Sequence, residues 1–120
     1  MSTSRTFSTE SEGRTLIVAP LVNVSGLVEK DVRGELDHLL RQLEEATVRN
    51  VVVDFSQVSY FGTPMLEAMH RIWKRVCEAE GKMVLCHVSD MQREVLHAAR
   101  FDRLWPIYAT RQDAIQKVEQ

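Results

Sequence analysis

The chain has 120 residues, of which 44% are hydrophobic and 27% charged, and its formal net charge at pH 7 is −2. These values are typical of one soluble domain, and the slightly acidic charge gives no field that would attract nucleic acid. The sequence has no apolar run long enough for a membrane span and no apolar signal-peptide region. We therefore expect one cytoplasmic domain over residues 1–120, with residues 1–8 prone to fraying, no membrane insertion and no direct nucleic-acid binding.

The first half of the chain contains three predicted strands and one predicted helix. Thr6 to Ser8 is predicted as an edge strand, and residues 15–19 as a second strand that pairs with it in an antiparallel hairpin. The spacing of apolar residues predicts a helix from Glu29 to about Ala46. The β-branched run from Val51 to Phe55 is typical of a central strand that is covered on both faces.

The second half of the chain begins with an amphipathic segment. Its apolar residues recur about every 3.6 positions and predict a helix from Pro64 to about Glu80. Gly81 then follows as the expected C′ residue, the position just beyond the helix cap. The remaining predicted elements are a strand over residues 82–88, a helix opened by a Ser89–Gln92 capping box, an extended segment over residues 105–108 and a last helix opened by Thr110.

The order of the predicted elements indicates the fold class. Strands and helices alternate after the first hairpin, which favours right-handed crossovers and a mainly parallel sheet. The strands are few and short. The sequence therefore predicts an α/β domain with a small mixed sheet of four to five strands, flanked by about four helices.

The sequence lacks the common motifs for enzymatic chemistry and for metal binding. There is no GxGxxG, Walker or GxSxG motif, so we predict no enzymatic activity and no cofactor. The four histidines lie in four different predicted elements without metal-ligand spacing, so no metal site is predicted. The two cysteines form no CxxC pair, and we interpret them as small core residues.

Polar residues follow the predicted strands at the points where these strands end. They are Asp54, Ser56, Gln57, Thr63 and Ser89. Ligands of α/β sheets bind at the carboxyl ends of the strands, so this edge of the sheet is the first place to look for a site. Any strand-to-helix loop also contains such residues, and the pattern alone selects no chemistry.

The stretch Gly62-Thr63-Pro64 explains how a strand passes directly into a helix. Proline suits the first helical position and pushes the residue before it into the extended conformation of an N-cap. The Thr63 hydroxyl is then expected to accept a hydrogen bond from the backbone N–H of Met65 or Leu66. A phosphate on this hydroxyl would be tolerated by the fold, because helix N-termini favour anions.

Two longer stretches resemble a known family, the STAS domains, which include the anti-sigma factor antagonists. They are VVVDFSQVSYFGTPMLEAMHRIWKRV and EGKMVLCHVSDMQREVLHAARFDRLWPIYATRQDAI, and the resemblance extends over roughly residues 10–118. It implies a small mixed sheet with helices packed mainly on one side. It also implies a non-catalytic regulatory module that binds a protein partner, an anti-sigma factor that is itself a serine/threonine kinase.

The resemblance also implies where the partner binds. Thr63 matches the serine or threonine that the partner kinase phosphorylates in the family, although Gly62 stands where the family has an aspartate. A second acidic position of the family is lost after Ser25-Gly26, where this chain has Leu27-Val28. The residues expected to bind the partner are Ser25, Gly26, Ser56, Gln57, Ser59, Gly62, Thr63, Pro64, Met65 and Glu67.

Two other functions remain open at the level of sequence. STAS-like domains also serve as subunits of signalling scaffolds and transporter complexes, and the resemblance therefore also allows this role, in which Thr63 would be only a helix cap or contact. A small-molecule sensor is a third possibility, for which the sequence offers no phosphate-binding or cofactor motif. The oligomeric state is open as well, since an exposed first strand can pair with a copy of itself.

Overall fold

The computed structural model describes residues 7–21, 29–45, 48–58, 63–101 and 103–119, without the side chains of residues 29–33, 35, 45, 63 and 64. Within these residues the order of strands and helices is the predicted one. The elements are β1 (Phe7–Glu12), β2 (Thr15–Pro20), α1 (Glu29–Glu45), β3 (Asn50–Asp54), α2 (Thr63–Glu78), β4 (Met83–Cys86), α3 (Asp90–Ala98), β5 (Ile107–Tyr108) and α4 (Arg111–Val118).

The sheet is mixed, and its five strands lie in sequence order. β1 pairs with β2 antiparallel, whereas the pairs β2–β3, β3–β4 and β4–β5 are parallel. The parallel strands consequently all end at one edge, which we call the carboxyl edge. The segments that follow β2, β3 and β4 therefore start at this edge. The predicted α/β fold with a small mixed sheet is confirmed.

Both faces of the sheet are covered, but unequally. One face packs against α1, α2 and α3 and forms the larger core, which includes Val51 and Val53. The other face packs against α4 and includes Val52, the residue between them. All three valines are at most 2% exposed. The β-branched run of β3 reflects this double burial, as expected for a central strand.

The end of α2 differs from the prediction for Gly81. Glu80, with a φ of 60°, takes the left-handed C′ position. The Gly81 N–H donates to the carbonyl of Val76 over 2.9 Å, and the Glu80 N–H to that of Cys77 over 3.0 Å. These two hydrogen bonds form a Schellman motif in which Gly81 is C″, so its prediction as C′ was wrong.

Gly81 is required for a different reason. A Cβ atom built on Gly81 would lie 1.6 Å from the backbone carbonyl oxygen of Arg49, just before β3. The turn after α2 therefore approaches the start of β3 more closely than any side chain would permit. The close contact between Gly81 and Arg49 lies directly before the paired strands β3 and β4.

Candidate functional site

A buried carboxylate lies where β3 reaches the carboxyl edge. The Asp54 side chain is 3% exposed. Its Oδ2 accepts a hydrogen bond from Nε of Arg111 over 2.9 Å and lies 2.8 Å from Nη2 of the same guanidinium. Its Oδ1 accepts from the backbone N–H of Ser56 over 2.9 Å. Asp54 thus joins the first residue of α4 to the first turn of the loop after β3.

The surroundings of Asp54 keep it ionised. Burial raises the pKa of this carboxyl, but the hydrogen bonds from the Ser56 N–H and from Arg111, with the guanidinium charge, outweigh burial. The net effect is a pKa below the ordinary aspartate value of 3.8. Asp54 is therefore an anion at neutral pH that serves as an acceptor, not as a proton donor.

Arg111 links Asp54 to the edge strand β1. Its Nη1 atom lies 2.8 Å from Oε2 of Glu10, a residue of β1. A cation in the first turn of a helix is unfavourable with respect to the helix dipole, and the two carboxylates offset this cost. The network Glu10–Arg111–Asp54 therefore fixes the N-terminus of α4 against the carboxyl edge.

A second buried side chain holds the loop after β3 from the opposite side. Gln92, in the first turn of α3, is 1% exposed. Its Oε1 accepts from the Ser89 N–H over 2.9 Å, and its own N–H donates to Ser89 Oγ over 3.1 Å, which confirms the predicted capping box. Its Nε2 donates to the carbonyl of Val58 over 3.1 Å. The turn from Ser56 to Val58 is thus held by two side chains from other elements.

A groove of about 640 Å³ opens beside this turn. Ser56 and Val58 form one wall, and the start of α3, with Asp90 and Arg93, forms another. Ser56, Asp90 and Arg93 are exposed. The carboxyl edge therefore presents polar groups around a concave surface, at the place where α/β proteins bind their ligands.

One trio of side chains has the spacing of a metal site. The donor atoms of Asp54, Cys86 and His87 lie within 4.8 Å of one another. However, the guanidinium of Arg111 already neutralises Asp54. Burial, with a smaller effect of the Asp54 charge, raises the pKa of the Cys86 thiol to about 12, so the thiol is protonated at neutral pH. A cation at this position would have to compete with Arg111 for the Asp54 carboxylate.

Comparison with known proteins decides the family. The model of the STAS domain family matches residues 21–114. The chain belongs to the STAS domain family. BtrV of Bordetella bronchiseptica, whose name assigns it to the anti-sigma factor antagonists, is 24% identical over 91 residues, or 76% of this chain and 78% of BtrV.

Solved STAS structures have the same fold. An anti-sigma-factor antagonist domain protein from Planctomyces limnophilus has a TM-score of 0.79 and 28% identity over 95% of this chain and 98% of that one. The anti-sigma factor antagonist SpoIIAA in its unphosphorylated form has a TM-score of 0.80 and 16% identity, over 94% of this chain and 96% of SpoIIAA. The latter likeness concerns the fold alone.

The residues predicted to bind a partner in this STAS domain divide into three groups. Ser56, Gln57 and Glu67 are exposed. Met65 is 1% exposed and packs in the larger core, so its side chain faces away from solvent. Outside the described residues, in whole or as side chains, lie Ser25, Gly26, Ser59, Gly62, Thr63 and Pro64.

The start of α2 lies close to where the sequence places it. The helix begins at Thr63, one residue before the predicted first position, Pro64. Helix ends vary by one or two residues with the criterion used, so Thr63 stays a predicted N-cap. Thr63 follows β3 along the chain as the first residue of α2.

Sequence reasoning missed the two contacts that organise the site. The Asp54–Arg111 pair joins residues 57 positions apart, and only the unfavourable position of Arg111 at a helix start could have indicated a carboxylate partner. Gln92 was identified as a capping residue, but not as a donor to Val58. The capping box uses only the oxygen of the Gln92 amide group, so its NH₂ group needed an acceptor elsewhere. This unused donor was the available signal for a second contact.

Proposed function

We propose that this STAS domain is a non-catalytic regulator that binds a protein partner through the carboxyl edge of its sheet. The interacting surface consists of the loop over residues 56–66, the start of α2 and the loop over residues 22–28. The partner class is the anti-sigma factors that are also serine/threonine kinases. The main support is the turn from Ser56 to Val58, which Asp54 and Gln92 hold in place while Ser56 and Gln57 remain exposed.

A binding role fits the chemistry of this edge better than catalysis does. A general acid or base needs a pKa near the working pH, and a nucleophilic cysteine needs an accessible thiolate. Asp54 has a lowered pKa and is occupied by Arg111, while the pKa of Cys86 is raised to about 12. Among the described residues, no helix is long and apolar enough to cross a membrane.

Exposed apolar side chains also support a protein partner. Met91, in the first turn of α3, is 61% exposed, and Leu21, directly after β2, is 38% exposed. Both follow parallel strands at the carboxyl edge, on either side of the loop after β3. Exposed apolar residues beside polar groups are typical of protein interfaces. Leu104, 36% exposed, precedes β5 and lies toward the opposite edge.

Substituting glutamine for Met91 is expected to weaken binding to the cognate anti-sigma factor about tenfold, equivalent to about 1.4 kcal/mol. Glutamine preserves side-chain length and helix propensity but removes the apolar contact. The measurement is the Kd by isothermal titration calorimetry with the purified anti-sigma factor. Leu104→Gln is the matched control and should bind as the wild type. Equal Kd values for Met91→Gln and the wild type would contradict a contact at Met91.

Phosphorylation of Thr63 is the regulatory step in this proposal. A phosphate at the start of α2 would be tolerated by the helix dipole and would add about two negative charges to the surface. Incubation with the cognate kinase and ATP should increase the mass of the wild type by one phosphoryl group, as read by mass spectrometry. Thr63→Ala should abolish the increase and Thr63→Ser should retain it.

The absence of any added phosphate on the wild type would exclude this switch and leave binding to be tested separately. In the alternative function, the domain is an unphosphorylated subunit of a signalling scaffold or transporter complex. Gly62, which stands in place of the family aspartate, favours this alternative. Affinity purification from the native host separates the two versions. Recovery of scaffold or transporter subunits without a kinase would favour the second one.

A further inference from the structure

We propose that Gln92 is a positioning residue that sets the conformation of the turn from Ser56 to Val58, the described part of the loop after β3, and couples this turn to the start of α3. The consequence for binding depends on the function proposed above, whereas the consequence for the loop does not. Gln92 is 1% exposed and lies beneath the turn from Ser56 to Val58. It therefore acts through that turn and does not itself contact a partner.

The chemistry of the side chain distinguishes this role from helix capping. In the capping box, Oε1 of Gln92 accepts from the Ser89 N–H, and a glutamate oxygen would do the same. The bond from Nε2 to the Val58 carbonyl requires an amide hydrogen, which an ionised glutamate lacks. Capping alone therefore does not require glutamine at this position, whereas the bond to Val58 does.

Val58 is the residue of the turn at which Gln92 can act. Val58 is 8% exposed, and its N–H donates to the Phe55 carbonyl over 3.2 Å. Ser56, two residues earlier, is fixed through Asp54. Both the N–H and the carbonyl of Val58 are thus hydrogen-bonded, which fixes the backbone of the turn at this residue. Removal of the Gln92 bond would release the later half of this turn while Asp54 still held the earlier half.

Asn50 offers a closely matched control at the other edge of the sheet. It is a buried amide, 8% exposed, whose Nδ2 donates to the Val118 carbonyl over 3.1 Å and whose Oδ1 accepts from the Lys82 N–H over 3.0 Å. Gln92→Glu and Asn50→Asp each keep the acceptor oxygen and remove the amide donor to a backbone carbonyl. The two variants therefore lose the same kind of bond, and only one of them loses it at the loop.

The test compares amide hydrogen exchange of the full-length wild type, Gln92→Glu and Asn50→Asp without any partner. We expect Gln92→Glu to lower the protection of the Val58 amide about tenfold, and Asn50→Asp to leave it unchanged. Lowering the pH should restore protection in Gln92→Glu, because a protonated carboxyl can again donate to Val58. If buried charge prevents folding of this variant, Gln92→Met removes the bond to Val58 without a charge, and it also removes the acceptor for the Ser89 N–H. Wild-type protection of Val58 in the folded variant would overturn the inference.

The same variants separate this inference from the proposed function. With the purified anti-sigma factor, Gln92→Glu should bind about tenfold more weakly than Asn50→Asp. Loss of protection in Gln92→Glu, combined with no binding by the wild type, would refute the proposed function and support positioning. Binding by the wild type, with unchanged protection in Gln92→Glu, would support the function and refute positioning.

Discussion

Arg111→Met is expected to lower the free energy of unfolding by about 2 kcal/mol at pH 7, because it leaves the buried Asp54 carboxylate without its counter-ion. The Asp54 side chain is 3% exposed and that of Arg111 is 34% exposed, so water near Arg111 holds the loss below that of a fully buried pair. Urea unfolding followed by circular dichroism measures the difference. Asp54→Asn combined with Arg111→Met should recover part of the loss, since it removes the uncompensated charge as well.

The pH dependence of this variant identifies the cause of the loss. The pKa of Asp54 is lowered in the folded protein, so its stabilising contribution is complete above the pKa of an unfolded aspartate, about 3.9. The contribution is lost as the pH falls through the lower pKa of the folded state. Without the guanidinium the folded-state pKa of Asp54 is higher in Arg111→Met than in the wild type. The stability difference between the two proteins should therefore shrink as the pH falls from the pKa of Asp54 in the variant to its lower pKa in the wild type. A difference that is independent of pH would show that Arg111 acts through packing instead.

Gly81→Ala is expected to lower the free energy of unfolding by about 3 to 4 kcal/mol, close to the largest effects of single substitutions. The added Cβ would lie 1.6 Å from the Arg49 carbonyl oxygen and 2.7 Å from its carbon. Both are backbone atoms, so relief requires the turn after α2 to move away from the start of β3. Differential scanning calorimetry should show Tm lowered by about 15 °C.

Gly34→Ala is the control for the substitution of Gly81. Gly34 lies in α1, and a Cβ built on it meets nothing within 4 Å. Alanine should therefore stabilise this helix by up to about 1 kcal/mol, through helix propensity alone. If Gly81→Ala were as stable as the wild type, the close contact between the turn after α2 and Arg49 would be wrong.

The fold could be predicted because local patterns and tertiary structure agree. The apolar run of β3 indicated burial on both faces, and α4 does cover the second face. The Ser89–Gln92 capping box and Thr110 predicted the starts of α3 and α4, where the structure has them. These signals act within a few residues of the chain, where composition and spacing are informative.

Several features of the site could not be predicted because they depend on contacts between distant residues. No sequence pattern indicates the close approach of Gly81 to Arg49. The usual preference of glycine for positive φ suggested that Gly81 is the C′ residue of α2, a position that Glu80 occupies. Met65 was assigned to the partner surface by family position, although its place in the apolar pattern of α2 indicated the core, where it lies. The partners of Arg111 and the bond from Gln92 to Val58 likewise required the folded chain.

We propose that a protein partner binds the carboxyl edge of this STAS domain. The most direct test is a titration of the isotope-labelled chain with the purified anti-sigma factor of its host, followed by amide chemical shifts. Saturable shifts should concentrate at Ser56, Gln57, Glu67 and Met91, with little change at Leu104. No saturable shifts, or shifts centred on Leu104 and the opposite edge of the sheet, would contradict binding at the carboxyl edge.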